Sequence, residues 1–225
     1  MRTRSMAVVI AGAIAMSLFG AGAASASAKA TLNVVHGIPG VDVNVCVNGA
    51  DAIPDFNPGD VVTGVKLPAG SYDLKIVAKA DPCSGAAILQ ANGVVLKGGK
   101  NYTAVASLNA SGTPKLSLFR NDVRSVGAGK ARLTVRHTAD APAVNVWANG
   151  APLIGGTHFT WGKSATVAVP KGVYAAWVSL PGRYRPVIGP DVLKLWAGFA
   201  YQVYAWGNAT DGYALAVVAT HVGTK

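Results

Sequence analysis

The sequence contains no glutamate, so all ten acidic residues are aspartate, and glutamine and methionine are scarce. Charged residues make up only 13% of the chain, whereas 51% is apolar. Disorder requires low hydrophobicity and high charge, so this composition excludes a disordered protein. A mostly helical protein would draw on Glu, Gln and Met, whereas the abundant Val, Ala, Gly, Thr and Tyr suit strands and tight turns. The composition predicts an all-β fold.

Long apolar runs are absent except at the N-terminus. There, Arg2 and Arg4 precede an apolar stretch over residues 6–22, and Ala26-Ser27-Ala28 follows it. A basic start, an apolar centre and a small-residue A-x-A site are typical of a cleaved secretory signal peptide. The sequence therefore predicts a signal peptide over residues 1–28 and a secreted or envelope-associated protein. The alternative is a permanent membrane anchor, which is disfavoured because the run is rich in Ala and Gly and a cleavage site follows it directly. No second apolar run approaches the roughly 20 residues that span a bilayer.

The charge is unevenly distributed between the two halves. Residues 29–126 carry nine Lys and Arg against seven Asp, a net +2, and residues 127–225 carry nine against three, a net +6. A positive surplus favours acidic wall polymers or anionic lipid headgroups, or simply keeps the protein soluble. The basic residues are scattered, so nucleic acid is not an expected partner.

The chain has only two cysteines, Cys46 and Cys83. Export places them in an oxidising compartment, so we expect a disulfide. Free thiols and a reactive cysteine are the alternatives. A bond between them would pin the Asp81–Gly85 loop across the first domain. We expect it on the sheet surface, because Cys46 alternates with Val45 and Val47, which are predicted to face inward.

The chain contains an internal repeat. Val43-Asn-Val-Cys-Val-Asn-Gly49 returns as Val144-Asn-Val-Trp-Ala-Asn-Gly150, and Leu67-Pro-Ala-Gly-Ser-Tyr72 returns as Val169-Pro-Lys-Gly-Val-Tyr174. Such self-similarity indicates a tandem duplication. We predict a first domain over residues 29–122, a linker over 123–130 and a second domain over 131–225.

Within each repeat, apolar residues alternate with polar ones, as in strands with one buried face. Tyr72, Leu74 and Ile76 alternate with Asp73 and Lys75, and turn pairs such as Asn-Gly separate the segments. Many short strands separated by turns predict two tandem immunoglobulin-like β-sandwich domains.

These segments carry a resemblance to a known family. A strand ending in His, a Pro-containing turn, V-[DN]-V-x-[VA]-N-G, an L-P-x-G-x-Y hairpin and a G-x-x-Y strand resemble the bacterial domain of unknown function 4397 family, in two tandem copies. The segment from Val135 to Val146 is especially similar to the family's opening strand and turn. The resemblance implies an exported β-sandwich of the bacterial envelope and no assigned activity. The first copy departs from it at the Gly37–Gly40 turn.

No catalytic constellation is visible in the sequence. His36 and His137 occupy equivalent strand ends, where a histidine bonded to turn backbone is the expected arrangement. A metal site would need further ligands, and the sequence contains no G-x-S-x-G, H-E-x-x-H or P-loop motif. We therefore predict no catalytic residues, no metal and no cofactor.

All five tryptophans lie in the second repeat, and alignment with the first repeat predicts where four of them point. Trp147 replaces Cys46, Trp177 replaces Lys75, Trp196 replaces Lys97, and Trp206 replaces Ser107, while Tyr204 replaces Val105. All these positions have the parity opposite to the inferred core, so the rings should face outward. Exposed apolar clusters usually mark contact sites.

The sequence thus favours a non-enzymatic envelope or extracellular binding module that contacts a wall polysaccharide or an envelope protein. The predicted binding residues are Trp147, Trp177, Tyr204, Trp206, Arg183 and Arg185. One alternative is a structural protein whose aromatic residues only pack between domains or protomers, and a less favoured one is a secreted enzyme.

Overall fold

The computed structural model describes residues 28–154 and 159–225. The predicted signal peptide, apart from Ala28, lies outside the described residues. All sixteen regular elements within these described residues are strands, so the all-β prediction is confirmed. The described residues include no helix with the length and hydrophobicity needed to cross a bilayer.

The first eight strands form two four-stranded sheets, ordered β4-β1-β7-β8 and β3-β2-β5-β6. Their bounds are β1 (Ala30–Gly37), β2 (Val43–Val47), β3 (Ala50–Phe56), β4 (Val61–Leu67), β5 (Gly70–Ala78), β6 (Leu89–Leu96), β7 (Asn101–Leu108) and β8 (Pro114–Asn121).

The last eight strands form sheets ordered β12-β9-β15-β16 and β11-β10-β13-β14, which repeats the order of the first eight strand for strand. Their bounds are β9 (Lys130–His137), β10 (Asn145–Ala148), β11 (Ala151–Ile154), β12 (Ser164–Pro170), β13 (Gly172–Ser179), β14 (Pro186–Leu195), β15 (Phe199–Asn208) and β16 (Gly212–His221). Strands β9 and β15 pair in parallel, whereas β15 and β16 are antiparallel.

The chain divides into two compact units. The first contains residues 28–106 with Pro114–Asn121, and the second contains Ser107–Thr113 with Asp122–Lys225. Each unit therefore carries one pair of four-stranded sheets, with the end of β7 grouped in the second unit.

Both sheets of the second unit contribute to one buried cluster, which makes the unit a sandwich. Leu133 on β9 and Val203 on β15 come from one sheet, and Val146 on β10 and Val178 on β13 come from the other. The alternation predicted for the first unit is present on β5, where Tyr72, Leu74 and Ile76 are buried. The immunoglobulin-like type stays a prediction.

Two-residue Asn-Gly turns fix the register at equivalent points in the two units. Asn48 and Gly49 join β2 to β3 with φ angles of 51° and 82°, and Asn149 and Gly150 join β10 to β11 with 49° and 81°. Positive φ at both central positions is the requirement of the tight hairpin turn that Asn-Gly satisfies. The Asn48 side-chain oxygen also accepts a hydrogen bond from the backbone N–H of Asp73 on β5.

The single-buried-face prediction is wrong for the strands β7 and β15. All eight residues of β7 are buried, and all the inner residues of β15 are buried too. Both are central strands with a neighbour on each side. On the first unit's outer face, Asn121 donates to Asn101 and Thr103 at 2.7 and 2.9 Å. This pairing satisfies polar groups that burial would otherwise leave costly.

The two equivalent histidines are buried and hydrogen-bonded to turn backbone. His36 Nε2 lies 2.8 Å from the carbonyl oxygen of Val41, and His137 Nε2 lies 2.9 Å from that of Pro142. Since a carbonyl only accepts, Nε2 is the protonated nitrogen in each ring. Burial is the main cause that lowers the pKa of both imidazoles below the usual value.

The predicted disulfide joins Cys46 on β2 to Cys83 in the β5–β6 connection. Cys46 lies on the outer face of its sheet, as its parity predicts, but its side chain is fully buried rather than at the surface. The connection itself covers it, because Lys75 donates hydrogen bonds to the carbonyl oxygens of Cys83 and Gly85 at 2.8 and 2.6 Å. The bond and the lysine therefore hold the Asp81–Gly85 loop on the sheet.

Stability should fall in mild acid because of the buried histidines. Their folded-state pKa is lowered, so the unfolded chain binds more protons once the pH drops below the ordinary histidine value of about 6.5. The stabilisation is complete above that pH and is lost progressively as the pH falls towards the folded-state pKa. Thermal unfolding between neutral and mildly acidic pH measures this. A variant with both His36→Gln and His137→Gln should lose much of the slope, and an unchanged slope would contradict the assignment.

Removing the disulfide should destabilise the first unit. For a sequence separation of 37 residues, the chain-entropy model gives about 4 kcal/mol of stabilisation. We expect a variant with Cys46→Ala and Cys83→Ala to lose roughly that amount in denaturant unfolding monitored in the first unit. The tryptophan fluorescence transition reports the second unit separately, because all five tryptophans lie there. An equal shift in that transition would contradict a local role.

Candidate binding surface

Trp147 and Trp177 form a cross-strand pair on the outer face of the β10–β13 ladder. They are register partners, their ring centroids lie 5.8 Å apart and their planes differ by only 8°. Trp147 Nε1 donates to Ser179 Oγ at 2.9 Å. Trp177 Nε1 is buried and has no hydrogen-bond partner among the described residues. Both rings are half-buried, so the predicted outward orientation is observed and their accessibility is partial.

Tyr184, in the β13–β14 connection, packs against the Trp147 ring of this pair. Its ring centroid lies 5.1 Å from that of Trp147 with a tilt of 48°. Tyr184 is 77% exposed, and its two neighbours Arg183 and Arg185 are exposed as well. The connection therefore carries an exposed aromatic residue between two exposed arginines in the sequence.

The same sheet face continues along β13 and β14 as exposed apolar side chains. Val173 and Val192 are 60% and 64% exposed, and Trp196, just beyond β14, is 53% exposed. Lys194 lies on this face too, with Nζ 4.5 Å from the centroid of the Trp196 ring. We call this face the aromatic stripe, and its members are Trp147, Trp177, Tyr184, Val173, Val192 and Trp196.

The first unit shows that this sheet does not need an apolar outer face. At the positions of Val173, Ala175 and Trp177 on β13, the equivalent strand β5 carries Ser71, Asp73 and Lys75. The fold tolerates polar side chains there because Ser71 and Asp73 are exposed to solvent and Lys75 is bonded to the loop carbonyls of Cys83 and Gly85. The apolar face of the second unit is thus a property of its sequence and not a requirement of the fold.

Two of the predicted binding residues are not accessible. Tyr204 and Trp206 lie on the β15 face opposite the core cluster, but they are 0% and 5% exposed. The prediction was correct about the face and wrong about the exposure, because other side chains pack on that face. Tyr204 also binds a buried cation, since its hydroxyl accepts from Arg136 at 2.6 Å and the guanidinium lies 5.3 Å from its ring centroid.

Four members of the stripe lie outside the predicted site. Val173 and Val192 replace Ser71 and Gly93 of the first repeat, so the alignment contained the information. Tyr184 lies in a connection without a repeated counterpart, and only the fold brings it to Trp147. Trp196 was expected to point outward but was not included in the predicted site.

The stripe can offer flat apolar contact area beside positive charge. Arg183, Arg185 and Lys194 form no salt bridge among the described residues. Burial raises the pKa of Asp191, the carboxyl on β14. Among residues 28–154 and 159–225, no three His, Cys or Asp side chains cluster as potential metal ligands.

The two stacked indoles should respond differently when each is changed to phenylalanine. Trp147→Phe removes the hydrogen bond to Ser179, whose hydroxyl keeps only its bond to the Leu180 carbonyl oxygen, whereas Trp177→Phe removes a buried donor that has no partner among the described residues. Because the loss of ring area is the same, Trp147→Phe should cost about 1 kcal/mol more in the free energy of unfolding. Denaturant titration of the two variants measures the difference. Equal costs would show that the Ser179 bond contributes nothing.

Comparison with known proteins places the chain in a family. No curated protein matches it significantly. The model of the domain of unknown function DUF4397 matches residues 30–147, which is 118 of the 225 residues. This single span runs from β1 of the first unit to β10 of the second, so the division into two copies of the family domain stays a prediction. With more than half of its length matched, the chain belongs to the DUF4397 family.

Proposed function

We propose that the protein is an exported, non-enzymatic binding module of the cell envelope or extracellular space. It contacts a wall polymer or an envelope protein through the aromatic stripe of its second unit. The observation that carries this proposal is the exposure of Tyr184, Val173, Val192 and Trp196 on one sheet face.

Removing such apolar side chains from water is favourable, so a binding partner that covers them gains free energy. Contiguous exposed apolar patches mark interaction sites, and Trp, Tyr and Arg are the residues that most often dominate binding energy. The stripe contains Trp and Tyr, and Arg183 and Arg185 are the sequence neighbours of Tyr184. The first unit, with the same strand order, has a polar surface at the equivalent positions of β5.

Export is supported by two features of the chain. The N-terminal segment has the composition of a signal peptide. The first unit also contains a disulfide bond, which persists in oxidising compartments and is rare in the cytosol.

A non-enzymatic role is supported by how the chain uses its two equivalent histidines. The His36 and His137 side chains are buried, and each donates to the backbone of a turn. This use is structural. The alternative of aromatic residues that only pack is supported for Tyr204 and Trp206, since burial removes them from solvent.

Retention on insoluble envelope material tests the proposal with the full exported chain. Trp196→Ala removes an exposed ring and should leave the unfolding midpoint unchanged while lowering the affinity for envelope material about fivefold or more, as loss of an aromatic hot spot does. Lys97→Ala is the matched control, because Lys97 occupies the equivalent position in the first unit. Absence of retention, or equal retention of Trp196→Ala and the parent protein, would contradict the proposal.

A further inference from the structure

The aromatic stripe has two ends, and each end combines an exposed ring with a cation. At one end, Tyr184 packs on Trp147, and its sequence neighbours Arg183 and Arg185 are exposed. At the other end, Lys194 lies over the ring of Trp196. The cations at both ends are free of salt bridges among the described residues.

The strand register gives the separation of the two ends. Trp177 is four residues from Val173 on β13, Val173 is paired with Lys194 on β14, and Trp196 lies two residues beyond. Six residues of extended strand span about 20 Å at roughly 3.3 Å per residue. Val173 and Val192 line the interval, so apolar contact is continuous between the ends.

This geometry favours an extended, repeating ligand. A small molecule would contact only one end of a 20 Å face, at the stated rise per residue. A second copy of the chain, paired about a twofold axis, would bring the same unpaired cations towards one another, and juxtaposed like charges oppose association. A polymer that repeats both a ring and an acidic group matches both ends at once.

We propose that the aromatic stripe binds an acidic polysaccharide along the direction of β13 and β14. The apolar C–H faces of the sugar rings lie on Tyr184, Trp196 and the valines between them, since aromatic faces are electron-rich and attract such positive edges. The carboxylate groups of the sugars pair with Arg183, Arg185 and Lys194, and the guanidinium groups can bind them bidentately. This inference rests on the proposed binding function and specifies its ligand class.

Chain length is the sharpest test, because two linked contacts act as one bivalent site. We expect the affinity for galacturonic acid oligomers, measured by calorimetry with the full chain, to rise about a hundredfold between the disaccharide and chains that span the stripe. The affinity of the long chain should also fall with added salt.

Variants at either end should remove the length effect. Trp196→Ala at one end, or Tyr184→Ala combined with Arg185→Ala at the other, should reduce the long-chain affinity towards that of the disaccharide. Lys97→Ala in the first unit is the control and should bind like the parent protein. Affinity that does not depend on length, or that survives both end variants, would overturn the inference.

Two further probes separate the ligand class from the binding function. Equal affinity for polyglutamate would show that charge alone binds, and equal affinity for neutral dextran would show that the rings alone bind; either result overturns the inference. If the galacturonic acid oligomers do not bind but envelope retention still depends on Trp196, the proposed ligand class is wrong and the binding function stands. If envelope retention is also absent, both fail.

Discussion

In each unit, one cross-strand pair determines how a long connection is held on the sheet. The pair lies on the outer face of the β3-β2-β5-β6 sheet in the first unit and of the β11-β10-β13-β14 sheet in the second. In the first unit the pair is Cys46 and Lys75, and in the second it is Trp147 and Trp177. The connection that follows must be held on this face. The first unit holds it with a covalent bond and two lysine hydrogen bonds, whereas the second holds it by packing Tyr184 on Trp147.

The two solutions have different consequences for the surface. A disulfide fixes the connection without any apolar neighbour, so the rest of the β5 face can stay polar. Aromatic packing works only if water is displaced from ring faces, and it gains from apolar residues nearby. The exposed apolar residues of β13 and β14 therefore continue the apolar surface that begins at the paired rings of Trp147 and Trp177. Where the first unit holds its connection with a disulfide, the second unit uses aromatic packing. This packing holds the β13–β14 connection and also leaves an accessible apolar face on the sheet.

Much of the fold could be predicted because it depends on local patterns. The alternation at Tyr72, Leu74 and Ile76 identifies the strand and its inner face, and Asn48-Gly49 identifies the turn. The same alternation predicts which face Tyr204 occupies, but not whether that face is covered. Covering depends on which side chains pack on that face, as Arg136 packs on Tyr204. Such contacts join residues distant in sequence, and period-two patterning contains no information about them.

The candidate site shows the same division between local and distant information. Trp147 and Trp177 follow from parity, since each replaces a residue whose orientation the first repeat already indicates. Tyr184 does not, because a connection has no period and its ring meets Trp147 only after β10 and β13 have paired. This dependence has a physical consequence for the arginines. The connection that carries Arg183 and Arg185 is held on the sheet by the packing of Tyr184 on Trp147, so the stacked indoles that stabilise the sheet also hold the segment that carries the positive charge.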